Sequence, residues 1–236
     1  MKKSPIALVP ALDRGLDILE WMSLQTESVT LTQIGRGMGL SVSEIQRPVS
    51  CLQRRGFLNR SSADTYSLSG LLYHLVQSHP PFRRLELAAL SAMKSFAREE
   101  KESIHLCVPD GDSALLLLDV PGEKFVRISL QVGTRMNAFE TVSGRLLNAF
   151  NLLDTRVKPS RSLALRLSHI RSQGYEQSES STVEGITDLG IPVMDRSGKA
   201  LAALTISILH LHKTAIDPKK LVQSLRKCAE KITSAL

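Results

Sequence analysis

The 236-residue sequence has few cysteines and no long apolar segment. Cys51, Cys107 and Cys228 are far apart in the chain, and no CxxC pair occurs. This spacing argues against a disulfide framework and against a cysteine zinc site, and it is typical of a reducing compartment, so we expect a cytoplasmic protein. Apolar runs such as Ala114 to Leu118 end after five residues. We therefore expect no signal peptide, no membrane span and no membrane partner.

Common catalytic motifs are lacking as well. The sequence contains no GxSxG motif, no P-loop and no GxGxxG motif after a strand-like run. These motifs are typical of hydrolases and of nucleotide-binding enzymes. His105 lies in an apolar strand-like run, which predicts a satisfied core histidine rather than a catalytic base. We therefore predict no enzymatic activity, no cofactor and no metal site.

The charge is modestly positive and is concentrated towards the amino terminus. The formal net charge is +7, and residues 1–84 hold ten lysines and arginines against six acidic residues. A positive excess in the shorter part of the chain suits contacts with phosphate groups. The bias supports a nucleic-acid partner but does not identify one by itself.

Two helix-start signatures lie eleven residues apart near the amino terminus. The segments Thr30-Leu31-Thr32-Gln33 and Ser41-Val42-Ser43-Glu44 both match the capping box, in which a hydroxyl and a Gln or Glu side chain satisfy free backbone N–H groups. Apolar residues recur at helical spacing after each box. Gly39 lies between them and suits a tight turn. The pattern predicts a helix-turn-helix, whose second helix enters the DNA major groove with its amino-terminal end.

The flanking segments extend this pattern to a winged helix-turn-helix. Gly56 is placed to end the second helix of the pair. Residues 57–60 and 65–68 have strand-like patterns around a turn at 61–64. A preceding surface helix is predicted with one buried face, formed by Leu12, Leu16, Leu19 and Met22.

The remaining length predicts a second domain. We place the first domain at residues 1–69, a linker helix that ends at His79-Pro80-Pro81 within residues 70–84, and the second domain at residues 85–236. Because strands and helices occur in runs joined by short turns, the second domain is expected to be an antiparallel sheet with helices packed on it, in the α+β class. Strand-like runs occupy residues 104–108, 114–120, 125–132, 186–193 and 201–209, and helical patterns occupy residues 85–100, 141–152, 162–172 and 217–236.

The chain resembles the IclR family of transcriptional regulators over nearly its full length. The matching stretches are residues 11–19, 31–34, 39–58, 126–135, 143–150, 170–175 and 192–198. The resemblance implies a winged helix-turn-helix joined by a linker helix to a GAF-like domain that binds a small-molecule effector. It also implies a homodimer or homotetramer that binds double-stranded DNA at a palindromic operator.

The predicted DNA contacts lie on the polar face of the second helix and on the wing. In the amino-terminal half of the helix, Gln46 is suited to adenine and Arg47 to guanine. Pro48 removes a backbone hydrogen bond inside this helix, so we expect a bend there. The full set of predicted DNA-binding residues is Thr32, Ser41, Ser43, Gln46, Arg47, Ser50, Arg54, Arg60 and Ser62.

The resemblance also implies an effector site in the second domain. Thr205 and Ser207 alternate on a strand, so both hydroxyls face one side of the sheet. Residues 142–144 open a helix whose N–H groups suit an anionic group. The implied effector-binding residues are Phe125, Ile128, Val142, Ser143, Ser178, Asp188, Thr205 and Ser207.

Asp188 affects which effector is expected. It stands where relatives often have cysteine, and an ionised carboxylate repels a carboxylate ligand unless Arg127 or Arg135 offsets its charge. The resemblance implies a carboxylate or a hydroxylated metabolite as the effector, and Asp188 favours a hydroxyl-rich or zwitterionic one. Two alternatives stay open: a DNA-binding regulator whose effector pocket is degenerate, and a small-molecule sensor or enzyme with a vestigial DNA-binding head.

Overall fold

The computed structural model describes residues 9–78, 82–154, 158–181, 183–210 and 217–236. The chain divides into two compact units, Met1–Pro80 and Pro81–Leu236. The domain boundaries that we placed at residues 69 and 84 stay predictions, and the predicted end of the linker at residues 79–81 lies outside the described residues.

The described part of the first unit consists of helices and a small sheet. Its three strands are antiparallel, in the order β1-β3-β2. The strand β1 was not anticipated, because its two residues carry no alternating pattern. In chain order the elements are α1 (Pro10–Ser23), β1 (Val29–Thr30), α2 (Leu31–Met38), α3 (Val42–Arg54), β2 (Leu58–Arg60), β3 (Thr65–Leu68) and α4 (Leu71–Ser78).

Local signals in the sequence set the ends of α2 and α3. The N–H of Thr30 donates to Oε1 of Gln33 at 2.7 Å, and the N–H of Gln33 donates to the Thr30 hydroxyl at 3.3 Å. Gly39 follows α2 with φ of 68°, a left-handed conformation that glycine adopts without strain. The helix α3 continues through Pro48. The predicted helix-turn-helix is thus present, and the bend at Pro48 stays a prediction.

The core of the first unit joins all three helices of the motif. Ile18 of α1, Ile34 of α2 and Ile45 of α3 are fully buried, and Val49 lies one turn further along α3. Because Ile45 and Val49 turn inwards, the opposite side of α3 faces solvent.

The predicted buried face of α1 is partly wrong. Met22 is buried, but Leu12 and Leu16 are 59% and 50% exposed. The buried stripe runs through Ile18 and Met22, which leaves Leu12 and Leu16 on the flank of the helix. Apolar spacing identified the helix but placed its contact face about a quarter turn away.

Gly37 is expected to be essential for packing α2 on α1. A Cβ at this position would lie 2.3 Å from Cζ2 of Trp21. Replacing Gly37 with valine should therefore lower the free energy of unfolding of the first unit by roughly 1–3 kcal/mol through overpacking. Fluorescence of Trp21, the single tryptophan, reports this unfolding directly. The control is Gly15→Ala in α1, where a Cβ would meet nothing within 4 Å and a stabilising change of about 0.4–1 kcal/mol is expected.

The second unit is a six-stranded antiparallel sheet with helices on both faces. The strand order is β6-β5-β4-β9-β8-β7. The antiparallel sheet and its helices confirm the expected α+β class. In chain order the elements are α5 (Arg83–Glu100), β4 (Ile104–Asp110), β5 (Ser113–Val120), β6 (Arg135–Asn137), α6 (Val142–Ala149), α7 (Arg161–Gln173), β7 (Glu176–Glu179), β8 (Ile186–Met194), β9 (Ala200–Leu209) and α8 (Pro218–Ala235).

Alternation along the central strands divides the core into two layers. Leu106 of β4 packs with Phe96 of α5 and Leu225 of α8 on one face of the sheet. Cys107, the next residue of β4, packs with Leu146 of α6 on the other face. Successive side chains of a strand point to opposite faces, so His105 shares the α6 face with Cys107.

One predicted strand is absent. Residues 125–132 have no strand conformation, although Val126, Ile128, Leu130 and Val132 alternate with other residues as in a strand. The edge of β5 pairs instead with the residues just after them, since the N–H of Leu116 donates to the carbonyl of Thr134 and β6 continues this pairing. With that edge occupied, the alternating segment runs as irregular chain.

Candidate functional site

The outward face of α3 carries polar side chains that are free to contact another molecule. Ser43, Gln46 and Arg47 are exposed in its amino-terminal half, and Ser50 and Arg54 are exposed further along. The remaining predicted DNA contacts are also exposed, namely Thr32, Ser41, Arg60 and Ser62. The structure therefore leaves all nine predicted side chains accessible.

The start of α3 is fixed by Glu44 rather than left free. Its carboxylate accepts hydrogen bonds from the N–H of Ser41 at 2.9 Å and from the Ser41 hydroxyl at 2.7 Å. These hydrogen bonds hold the pKa of Glu44 below its usual value. Arg14 of α1 adds an ion pair at 3.3 Å. Glu44 thus caps the start of α3 with an ionised carboxylate, as the sequence indicated.

On the wing, the guanidinium of Arg60 already has two partners within the protein. Nη2 of Arg60 lies 2.8 Å from Oδ1 of Asp64, and its guanidinium carbon lies 5.9 Å from the centre of the Tyr66 ring. The side chains remain exposed, so the ion pair is weak and a phosphate can compete for Arg60. Ser62 lies in the turn between β2 and β3.

A cavity of about 400 Å³ lies in the second unit, between the sheet and the amino-terminal end of α6. Six of the eight predicted effector contacts line it, namely Ile128, Val142, Ser143, Asp188, Thr205 and Ser207. Phe125 and Ser178 do not line it. Phe125 is fully exposed because its segment is not a strand, and Ser178 borders a separate depression beside α7.

The floor of the cavity is polar. The hydroxyls of Ser143 and Thr205 lie 3.1 Å apart, and both residues are buried. The Ser207 hydroxyl donates to Oδ1 of Asp188 at 2.6 Å. Thr205 and Ser207 therefore face the same side of β9, as their alternation predicted. The apolar part of the lining is formed by Ile128, Leu130, Met136, Val142, Val183 and Ile186, and polar residues such as Arg135 and Glu140 complete the walls.

His105 also lines the cavity, which corrects its interpretation as a satisfied core histidine. Its Nδ1 lies 2.6 Å from Oδ1 of Asp119, but its buried Nε2 has no hydrogen-bond partner among the described residues. The sequence signal was a histidine in an apolar run with an aspartate at the paired position of the next strand. That signal depends on the β4–β5 register, which the sequence alone does not give.

The glycine and arginine of the Ser143-Gly144-Arg145 motif support the cavity from behind. A Cβ at Gly144 would lie 2.2 Å from the carbonyl oxygen of Asn137, so α6 begins against this backbone only because residue 144 is glycine. Arg145 is buried and donates to Glu176 at 2.7 Å and to the carbonyl oxygen of Glu140 at 2.7 Å. It thereby anchors the cavity rim to β7.

A second depression of about 590 Å³ lies beside the start of α5 and the end of α8. Its polar lining residues, Arg84, Asp195, Arg196 and Ser197, are exposed or half-exposed. Binding sites for small molecules usually combine apolar walls with a few buried, convergent polar groups. The cavity at α6 meets this description and the larger depression does not.

The described residues contain no group of three or more His, Cys, Asp or Glu side chains placed to hold a metal ion. Burial raises the pKa of Cys107, which lies beneath the cavity beside Ser143, to about 12, so its thiol stays protonated and is a poor nucleophile. Within the same described ranges, no helix combines the length and apolarity needed to span a bilayer.

Two family models match the chain. The model described as "IclR helix-turn-helix domain" matches residues 11–62, and the model described as "Bacterial transcriptional regulator IclR C-terminal" matches residues 83–234. One match lies in each of the two units. The chain belongs to the IclR family of bacterial transcriptional regulators, which confirms the resemblance seen in the sequence.

Several named bacterial regulators are similar to this chain over most of its length. The Pca regulon regulatory protein of Pseudomonas putida is 24% identical over 84% of this chain and 73% of its own length. The regulator KdgR of Escherichia coli K12 is 23% identical over 90% and 87%. The glycerol operon regulatory protein of Streptomyces coelicolor is 24% identical over 97% and 96%.

Solved structures share the same architecture. The Thermotoga maritima IclR structure superposes with a TM-score of 0.71 at 21% identity, over 96% of this chain and 98% of that chain. An IclR homologue from Microbacterium hydrocarbonoxydans, complexed with 4-hydroxybenzoate, superposes with a TM-score of 0.76 at 23% identity, over the same shares. The chain is thus a DNA-binding transcriptional regulator of the IclR type, with a helix-turn-helix followed by an effector domain.

Proposed function

We propose that this protein regulates transcription by binding a palindromic operator through the amino-terminal half of α3, and that an effector in the α6 cavity changes this binding. The observation that carries the proposal is the two-sided character of α3. Ile45 and Val49 hold one side in the core, and Gln46 and Arg47 are exposed on the other. We propose that the protein acts without catalysis and in the cytoplasm.

Base contacts are assigned by side-chain chemistry. Arg47 is suited to the two acceptors of guanine, and Gln46 to the acceptor and donor of adenine in the major groove. Thr32, Ser41, Ser50, Arg54, Arg60 and Ser62 would contact the phosphate backbone and so fix the position of α3 without adding sequence preference.

A homodimer or homotetramer is the assembly proposed. A palindrome is bound by two copies related by a twofold axis. Exposed apolar side chains support this assembly, since α4 has no buried residue and carries Tyr73, Leu75 and Val76 on its surface. Leu12 and Leu16 of α1 are exposed in the same unit. Sedimentation of the free chain at micromolar concentration should show a dimer or a larger species.

A gel shift on the DNA upstream of the protein's own gene tests the DNA contact. We expect a specific complex whose affinity falls as salt rises, with a slope of roughly −0.9 in log–log form for each phosphate neutralised. An unrelated duplex of equal length is the control. Equal affinity for both duplexes, or the absence of any complex, would favour a sensor with a vestigial DNA-binding head.

Thermal unfolding with a panel of metabolites tests the effector cavity. A compound at 100 times its Kd should stabilise the effector domain by about 2.7 kcal/mol. The variant Ser207→Val removes the hydroxyl that donates to Asp188, so it should change the stabilisation that such a compound produces. A panel that stabilises neither protein would instead support a DNA-binding regulator with a degenerate pocket.

A further inference from the structure

His105 lies in a polar row that crosses three neighbouring strands. The sheet register pairs it with Asp119 on β5 and with Thr205 on β9. Side chains that are paired across antiparallel strands share one face of the sheet. Here that face is covered by α6, because the hydroxyl of Thr205 contacts Ser143 at the start of that helix. The row therefore runs directly beneath the cavity.

Asp119 sets the tautomer of His105. Burial opposes ionisation of this carboxyl, but hydrogen bonds from His105 and from the Ser129 hydroxyl outweigh burial and hold the pKa of Asp119 below its usual value. An ionised carboxylate only accepts hydrogen bonds. Nδ1 of His105 must therefore carry the proton that it shares with Asp119. In a neutral imidazole this leaves Nε2 as an acceptor with a free lone pair.

That lone pair is buried without a partner. The side chain of His105 is 2% exposed, and Nε2 forms no hydrogen bond among the described residues. Burying a polar atom without a partner is unfavourable, and a donor in the cavity would remove that cost. Since His105 is one of the residues that line the cavity, we take a bound molecule to be the source of that donor.

The charges around the cavity disfavour an anion. Asp188 and Glu140 are among its lining residues. Arg135 also lines it, but its guanidinium lies 3.4 Å from Asp110 and 3.7 Å from Asp112. At the start of α6 the N–H of Gly144 already donates to the Thr141 hydroxyl at 3.1 Å. The described lining thus offers two carboxylates against one arginine that is already paired. A hydroxyl donor with no charge suits this balance better than a carboxylate does.

We propose that His105 is the specificity-determining residue of the effector cavity, and that it accepts a hydrogen bond at Nε2 from a hydroxyl group of an uncharged, largely apolar effector. The apolar part of the molecule packs against walls such as Ile128 and Met136. The inference rests on the proposed function, because it takes the α6 cavity as the effector site. It adds the chemical class of the ligand and the atom that selects it.

Nitrogen NMR of the full chain labelled with ¹⁵N-histidine tests this inference. Phenol and benzoate are the probes, since they share a ring and differ in hydroxyl and carboxylate. We expect the Nε2 resonance of His105 to shift on addition of phenol and not on addition of benzoate at the same concentration. The exposed His74 is an internal control that neither probe should shift.

Variants assign the signal and measure its consequence. His105→Gln removes the resonance, and if that variant does not fold, Ser129→Ala identifies the resonance by perturbing Asp119. His105→Phe should weaken phenol binding at least tenfold in calorimetry. A protonated Nε2 in the free protein, a larger response to benzoate, or no response to either probe would each overturn the inference.

The outcome is separable from that of the proposed function. Operator binding by the wild-type chain is measured without either probe. Specific DNA binding together with a failed phenol response would refute the role of His105 alone. A phenol response without DNA binding would refute the proposed contact through α3 and leave the cavity site in place.

Discussion

Replacing both Gln46 and Arg47 with alanine is expected to abolish most of the preference of this protein for its operator. Each side chain is exposed on the amino-terminal half of α3, where a recognition helix contacts base edges. Loss of a good base contact costs roughly 1–3 kcal/mol, so the two together should lower specific affinity by at least about 30-fold. Fluorescence anisotropy with a labelled operator duplex measures this change.

The controls separate lost recognition from lost folding or charge. Arg98→Ala removes an exposed arginine from α5, outside the helix-turn-helix, and should leave operator affinity within about twofold. Affinity for a non-operator duplex should fall much less than operator affinity in the double variant, because phosphate contacts elsewhere remain. Equal losses on both duplexes would mean that Gln46 and Arg47 contribute charge and position, not sequence preference.

Replacing Arg145 with alanine is expected to destabilise the effector domain by up to about 3–5 kcal/mol, because it removes the buried cation that pairs with the carboxylate of Glu176 and leaves the half-exposed Arg166 as the remaining described partner. The two side chains are 6% and 3% exposed and lie 2.7 Å apart. The variant also frees the carbonyl groups of Phe139 and Glu140 at the cavity rim. Unfolding in urea, followed by circular dichroism, measures the loss.

A matched control exists on the same carboxylate. Arg166 also binds Glu176, at 2.6 Å, but its side chain is 43% exposed. Arg166→Ala keeps the buried Arg145 beside Glu176, so it should cost less than Arg145→Ala. The double variant Arg145→Met, Glu176→Leu should recover most of the loss, since an apolar pair replaces the buried charges. A loss below 1 kcal/mol for Arg145→Ala would contradict the structural role assigned to this pair.

The helix-turn-helix was predictable because its signals are local. The capping residues Thr30 and Ser41 and the turn residue Gly39 act on their own neighbours in the chain. Gly37 shows the limit of such reasoning. From the sequence it only weakens a helix, whereas in the structure it makes room for the ring of Trp21, which belongs to another helix.

The fold class of the effector domain was predictable from the sequence, but the pairing of its strands was not. Ile128, which the resemblance implied as an effector contact, does line the cavity, although the strand predicted at residues 125–132 does not form. The alternating pattern did not reveal this, because a sequence does not show which segment pairs with the edge of β5, and in the structure β6 does so. The exposed position of Phe125 follows from the same cause.

The charged pairs in and behind the cavity could not be predicted from the sequence, for a related reason. Residues that meet only through the fold carry it, such as Arg145 with Glu176 and His105 with Asp119. Their separations of 31 and 14 residues leave no periodic signal. A single sequence gives the side chains, and only the sheet register gives their partners.

Selection of duplexes from a random DNA library tests the central claim most directly. The wild-type chain should enrich an inverted repeat whose half-sites lie about one helical turn apart, and the Gln46→Ala, Arg47→Ala variant should fail to enrich it. Enrichment of no sequence by the wild type, or of the same repeat by the variant, would contradict the assignment of α3 as the element that determines DNA sequence preference.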